Sequence, residues 1–433
     1  MSIKTNRSFK NSENESIQPM LLGLGSRFFS ETFLILLGLV LMFGSFGWFF
    51  IGGNVLRYVF LLLGFVLLIL VSLKRQQWRL LRHAGFIALS VATFAVLLVI
   101  MYLREHVFSY QALVFQCVVF ALFVSGGLLG ARAQLNKIEL TFSQSALLIA
   151  FVVPGMLGFL RYAEQLAFYG ASRDFGSIEL NPVGLAYATS VLCVVMLFGV
   201  FVGRNWIVKS IFGGASLVVF FALASSASRG AFVFLLVTIF VVVFALLLKK
   251  QLSWSRAFFI LLLLPLAGFL TLYIFAGQWH FLERFDILFN RLVSTYNYLI
   301  GESSRDMATE ARFVNQKFYL LNWRDWFLFG TFGYVGYPHN QFIEWAARFG
   351  LIGTSIGVFF FVVFVRTIKI FIFSARRVPQ EIFLFFPLLL FSYLQSMTSL
   401  SLDMNRALFF AMGYFVGYFL LKKGSSSRIP KKV

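Results

Sequence analysis

Apolar residues run along this chain in unbroken blocks. Twelve blocks stand out, at roughly 32–52, 55–73, 84–103, 110–130, 143–160, 182–203, 206–223, 230–248, 256–276, 351–373, 382–399 and 405–421. Each has about the 18 residues that a helix needs to cross the hydrocarbon core of a bilayer. A β-barrel strand would alternate apolar and polar positions instead, so the pattern argues against that class. The prediction is an all-α polytopic membrane protein of about 12 transmembrane helices. Residues 32–421 form one membrane domain. Residues 1–31 read as a cytoplasmic N-terminal tail, and 422–433 as a basic cytoplasmic tail. The longest interruption, 277–350, is a loop between the ninth and tenth blocks.

The loop has its own periodicity. In 281–300, Phe281, Phe285, Leu288, Phe289 and Leu292 line one face of a helix. A second helix is expected over 308–321, with Phe313, Phe318 and Leu321 apolar. Gly330, Gly333 and Gly336 then mark turns leading to Pro338-His339-Asn340. Asn340 suits a helix cap, and Glu344 falls in the first turn that follows. Phe342, Trp345, Ala346 and Phe349 recur at helical spacing, and Gly350 fits the position just past the end. Gln341, Glu344 and Arg348 stand opposite the aromatic residues, so the segment reads as a short helix lying in the membrane interface.

Composition strengthens the membrane reading. The chain has 433 residues, is 60% hydrophobic and has a mean hydropathy of +0.85. Cys117 and Cys193 both fall inside apolar blocks and read as small buried residues. Charge chooses the orientation. With both termini inside, 24 of the 37 Lys and Arg residues are cytoplasmic, as the positive-inside rule asks. The net charge of +20 is thus largely a topology signal and calls for no nucleic-acid partner. Thirteen basic residues remain outside: Arg57, Arg104, Arg161, Arg173, Arg229, Arg284, Arg291, Arg305, Arg312, Lys317, Arg324, Arg348 and Arg406. All but one are Arg, whereas the inner side divides evenly between Lys and Arg. Guanidinium forks hold phosphate oxygens in pairs and keep their charge when partly buried. The skew points to an anionic ligand at the outer face. Twelve acidic residues share that side, so pairing is the competing explanation for any single Arg.

Two stretches concentrate the candidate chemistry. Ser225-Ser226-Ala227-Ser228-Arg229-Gly230 joins two apolar blocks at the outer side and sets Arg229 at the start of a helix. A cation at the positive end of a helix is poorly placed unless an anion is near; a side chain snorkelling to headgroups is the alternative. Arg161 ends its block at the outer side, against the topology rule, and Arg173 lies in the loop before Asn181-Pro182. His339 has an ordinary pKa suited to proton transfer near neutral pH. A structural role at the interface is the other reading. His83, His106 and His280 lack ligand spacing to it, and no metal site is expected.

Ser-x-Ser-Arg-Gly-Ala at the head of one helix is followed by Pro-His-Asn-x-Phe-x-Glu and then Gly-Leu-Ile-Gly at 350–353. Together they resemble the O-antigen ligase and O-antigen polymerase superfamily of bacterial inner-membrane glycosyltransferases. Arg312, Trp323, Trp326, Gly330 and Gly333 between them fit the same pattern, and the resemblance covers roughly 220–360. It implies a GT-C-like fold with a helical periplasmic loop and a metal-independent transferase without a cofactor. The donor would be a glycan on undecaprenyl diphosphate. The acceptor would be the lipid A core for a ligase, or another lipid-linked glycan for a polymerase. The site would lie at the periplasmic face of the bilayer. By position, His339 would take the acceptor proton, and Arg229 and Arg312 would bind the diphosphate. Arg161, Arg173, Arg305, Ser228 and Asn340 complete the candidate set. A transporter or flippase of the same lipid is the reading from another class. It would place ionisable groups at mid-membrane depth, and the apolar blocks hold almost none.

Overall fold

The computed structural model describes residues 30–73, 84–105, 110–131, 140–168, 182–250, 252–254, 281–301, 307–330, 338–373, 379–398 and 405–421. Thirteen α-helices are assigned among them: α1 Glu31–Leu73, α2 Ala84–Glu105, α3 Tyr110–Gly130, α4 Phe142–Phe168, α5 Pro182–Val202, α6 Trp206–Ser225, α7 Arg229–Leu248, α8 Phe281–Leu299, α9 Met307–Leu321, α10 Trp323–Trp326, α11 Gln341–Phe373, α12 Ile382–Ser396 and α13 Arg406–Val416. The last continues as a π-helical turn, Gly417–Leu421. No strand is present among these residues; one isolated bridge joins Leu140 to Gly203. This is an all-α membrane protein.

The expected count of twelve spans is corrected. Six helices among the described residues are long and apolar enough to cross a membrane. Four further apolar stretches, Gly85–Val99, Gln116–Gly130, Ile382–Ser396 and Arg406–Phe419, fall short of that length. For α12 the reason is rise per residue. The 15 residues of α12 reach only about 22 Å at 1.5 Å each, against about 30 Å of hydrocarbon. The expected ninth span, 256–276, lies outside the described residues.

The first two expected spans fall in a single assigned helix, α1, interrupted at Gly52 and Gly53; the latter has φ of 70°. The chain doubles back there. A Cβ at Gly64 would stand 2.5 Å from Met42 N, and one at Gly38 would stand 2.7 Å from Leu68 Cγ. The two limbs therefore lie backbone against backbone.

α5 is the central helix. Almost every residue from Leu185 to Phe198 is buried, and it packs against α1, α6, α7 and α12. A helix that is apolar all round has no face to give to solvent. Its Thr189 and Ser190 hydroxyls are satisfied within the helix, donating to the carbonyls of Leu185 and Ala186.

α3 and α13 meet through glycines at four-residue spacing, Gly126 with Gly130 and Gly413 with Gly417. A Cβ at Gly130 would fall 1.8 Å from Tyr414 O, and one at Gly413 would fall 2.0 Å from Phe123 O. In lipid, helix association depends on such close approach, because burial of apolar surface contributes little there.

Cys193 is buried as expected, whereas Cys117 is exposed. The loop helices α8 and α9 form where the spacing predicts. The expected apolar face of α8 holds only in part. Leu288 is buried against Ala224 and Ala227, but Phe289 is exposed. On α9, Phe313, Phe318 and Leu321 are exposed as well.

Candidate functional site

The segment after His339 is the clearest departure from expectation. The helix from Gln341 to Phe349 is buried on both faces and does not lie half in the interface. Its aromatic side packs inward: Phe342 on Tyr393, and Trp345 on Phe360 and Phe409. Its other side, Ala346 and Ala347, packs with Tyr319 and Trp326 of the loop. The polar residues that would have faced water are tied up locally. Gln341 Oε1 accepts from Asn405 Nδ2 at 2.7 Å, and the Glu344 carboxylate pairs with Arg348 at 3.2 Å.

Gly350 makes this arrangement possible. With φ of 60° and ψ of −133°, it breaks α11 into a short limb and a long one. A Cβ there would fall 2.5 Å from Leu328 O. Leu351 N donates to that same carbonyl at 3.3 Å. The limbs fold back on each other: a Cβ at Gly353 would fall 1.9 Å from Trp345 O.

Asn340 caps the short limb as its residue type predicts. Its Oδ1 accepts from Phe342 N at 3.0 Å and Ile343 N at 3.2 Å. That oxygen is committed to the fold. His339, just before it, is half-buried with φ of 52°. Left-handed backbone is uncommon for any residue but glycine, and it gathers at sites where the surroundings hold it in place. Among the described residues, the non-glycine positions with positive φ are Ala227, Lys250 and His339. Two of the three fall in the stretches singled out for chemistry.

Burial, and then the charge of Arg312, hold the His339 imidazole down to about pKa 4. The expectation that it changes charge near neutral pH is corrected: at pH 7 the ring is neutral. Arg312, on α9, thus acts electrostatically on His339, which lies 27 residues further along the chain and just before α11.

The second stretch forms the turn between α6 and α7. Ser226 Oγ donates to Leu223 O at 2.6 Å. Ala227 takes the left-handed conformation, and Ser228, buried, stands at the N-cap of α7. Arg229 is turned onto the outer loop. Its Nη1 donates to Arg291 O at 3.0 Å and to Thr295 Oγ1. Arg291 Nη1 donates back to Ala227 O at 3.1 Å. The two arginines clasp α8 to this turn.

Arg161 is exposed on α4 and is joined to neither group. Arg173 and Arg305 lie outside the described residues. Other arginines of the set expected outside have local partners: Arg57 lies over Phe46, Arg324 over Trp323, and Arg348 pairs with Glu344. No group of three His, Cys, Asp or Glu residues suited to a metal ion occurs among the described residues.

Behind the short limb lies an apolar cavity of about 510 Å³ between α2, α3, α11 and α13. Trp345 and Phe349 form its wall on the His339 side. Along α2 the lining runs from Phe86 to Leu97, about 16 Å at 1.5 Å per residue. The sequence pattern did not reveal this cavity, since it depends on which helices stand apart.

A layer of uncharged polar groups was also missed. Tyr187 Oη donates to Asn405 Oδ1 at 2.7 Å, and Ala407 N donates to Tyr187 Oη at 3.0 Å. Gln395, Ser392 and Gln341 are fully buried nearby. The signal for them was present: uncharged polar residues inside or beside apolar blocks are unusual enough to ask about. Comparison with protein-family models, curated proteins and solved structures gives no match.

Proposed function

We propose that this protein transfers a glycan from undecaprenyl diphosphate to a sugar hydroxyl at the periplasmic face of a bacterial inner membrane. The lipid A core is the favoured acceptor. The observation that carries the reading is a half-buried imidazole held in left-handed backbone within the electrostatic reach of the Arg312 guanidinium. The apolar cavity lined by Trp345 and Phe349 of the short limb that follows His339 supports it, since a polyprenyl chain needs a dry groove.

In this mechanism the acceptor oxygen attacks the anomeric carbon of the donor sugar while its proton passes to His339. A new glycosidic bond forms, the sugar–phosphate bond breaks, and the electron pair leaves on the diphosphate. Arg312 and Arg229 face the charge that grows on that leaving group, as fixed cations do at other phosphoryl sites. The two roles are coupled. A diphosphate beside Arg312 offsets the charge that depresses the imidazole, so His339 becomes a stronger base once the donor is bound. Arg229 is held by α8 through Nη1, so in this mechanism it would meet the diphosphate with its other guanidinium nitrogens.

The experiment is transfer by purified protein in liposomes, with an undecaprenyl-diphosphate-linked glycan and lipid A core. Product should form in the presence of EDTA. A strict divalent-metal requirement would count against the mechanism. Elongation of the lipid-linked glycan with none passed to lipid A core would replace the ligase reading with polymerase.

Arg312→Ala supplies a second test. Its transfer rate should fall by about 10²–10³. The pH profile should move in a defined direction. The wild-type base loses activity only as pH falls toward about 4. Removing the Arg312 charge raises the imidazole pKa, so the acidic limb of kcat/KM should move to higher pH. An unmoved limb would break the link between the two residues.

A further inference from the structure

Gln395 is fully buried near the end of α12, yet neither Oε1 nor Nε2 of its carboxamide has a hydrogen-bond partner. Gln341, also fully buried, has its Nε2 without one. An unmade bond at a buried amide is destabilising, so such groups are retained where something else completes them. These two sit in one layer. Gln341 Oε1 is bonded to Asn405 Nδ2, and that nitrogen also reaches Ser392 O at 3.4 Å, one helical turn before Gln395.

Their place in the fold is specific. Gln341 follows His339 by two residues. Gln395 lies against the α6–α7 turn: its Oε1 is 3.6 Å, and Thr398 Oγ1 is 3.5 Å, from where a side chain at Gly230 would begin. Gly230 is the neighbour of Arg229. The carboxamides therefore lie beside the start of the limb that follows His339 and beside the turn that carries Arg229.

The chemistry of the unmet groups narrows the ligand. Gln395 offers an acceptor as well as two donors. An ionised phosphate only accepts and leaves Oε1 unserved. A sugar hydroxyl or acetamido group donates and accepts, and completes both ends. We propose that Gln395, with Gln341, reads the first sugar of the donor, the one joined to the diphosphate. This rests on the donor reading given above and goes beyond it by naming where the sugar is recognised.

The test compares two probes on purified protein: farnesyl diphosphate, and the same lipid carrying N-acetylglucosamine on its diphosphate. Wild type should bind the sugar-bearing probe about 10-fold tighter, the worth of one or two hydrogen bonds. Gln395→Met, close in size and apolar, should remove that preference and leave farnesyl diphosphate affinity unchanged. Its ligand-free Tm should equal or exceed wild type, because an unpaired amide has been removed. Gly230→Ala, whose new methyl group meets only ordinary contacts, should weaken the preference while the protein stays folded. A preference that survives in Gln395→Met overturns the proposal, and so does a lowered Tm, which would mark Gln395 as structural. Equal binding of both probes by wild type overturns the sugar site alone. If neither probe binds wild type, the donor reading falls with it.

Discussion

Replacing His339 by asparagine is expected to lower transfer by about 10²–10⁴-fold, the usual contribution of a positioned general base. Asparagine is the cleaner substitution because the native φ is 52°. After glycine, asparagine is among the residues that tolerate left-handed backbone best. Alanine would remove the imidazole and strain the turn together, so its loss alone would not separate the two. Asparagine keeps the turn and cannot accept the proton at useful strength. Donor affinity should hold, because the residue credited with anion binding beside it is Arg312. A His339→Asn protein that transfers at the wild-type rate would remove the base from the mechanism. Equal losses for asparagine and alanine would assign the effect to the ring.

The second large effect concerns assembly. Gly413→Leu should prevent α3 and α13 from meeting. At that position even a Cβ would lie 2.0 Å from Phe123 O. Backbone cannot swing aside as a side chain can, and the neighbouring glycines face the same constraint in return. Overpacking commonly costs about 1–3 kcal/mol, and this case belongs at or above the upper end. The expected result is a lower Tm in detergent and less monodisperse protein. The cavity should suffer too, since Phe123, Phe409 and Val416 line it from these helices. Gly213→Ala on α6 is the control, because a Cβ there meets nothing within 4 Å. It should be neutral or slightly stabilising, as alanine is preferred to glycine inside a helix. Equal melting of the two variants would refute the close crossing.

Helices and their ends were the legible part of this chain. Continuous apolar blocks, Pro182 at the start of α5, Asn340 as a cap and Gly350 after the short limb each act through near neighbours. Two of the site stretches were legible for the same reason, as a turn before a helix and a polar cap beside an imidazole. What escaped depends on partners far along the chain. The polar side of Gln341–Phe349 suggested contact with water. It is buried because Asn405, 64 residues away, meets Gln341. The lowered pKa of His339 comes from burial first and then from the charge of Arg312, and neither can be read from its sequence neighbours. The glycine pairs of α3 and α13 gain their meaning only from the packing of those two helices, which lie far apart in the chain. Arg229 shows the limit from the other side. Its position suggested an anion, and the structure adds a direct hold on α8 that no local pattern contains.

The short limb of α11 has a further consequence. It is wedged between Tyr319 and Trp326 on one flank and Phe360 and Phe409 on the other, with a glycine joint at its end. A wedge so held cannot shift by itself. Whatever displaces α9 and α10 carries the imidazole along, so in the proposed reaction an acceptor settling on those helices would also set the aim of His339.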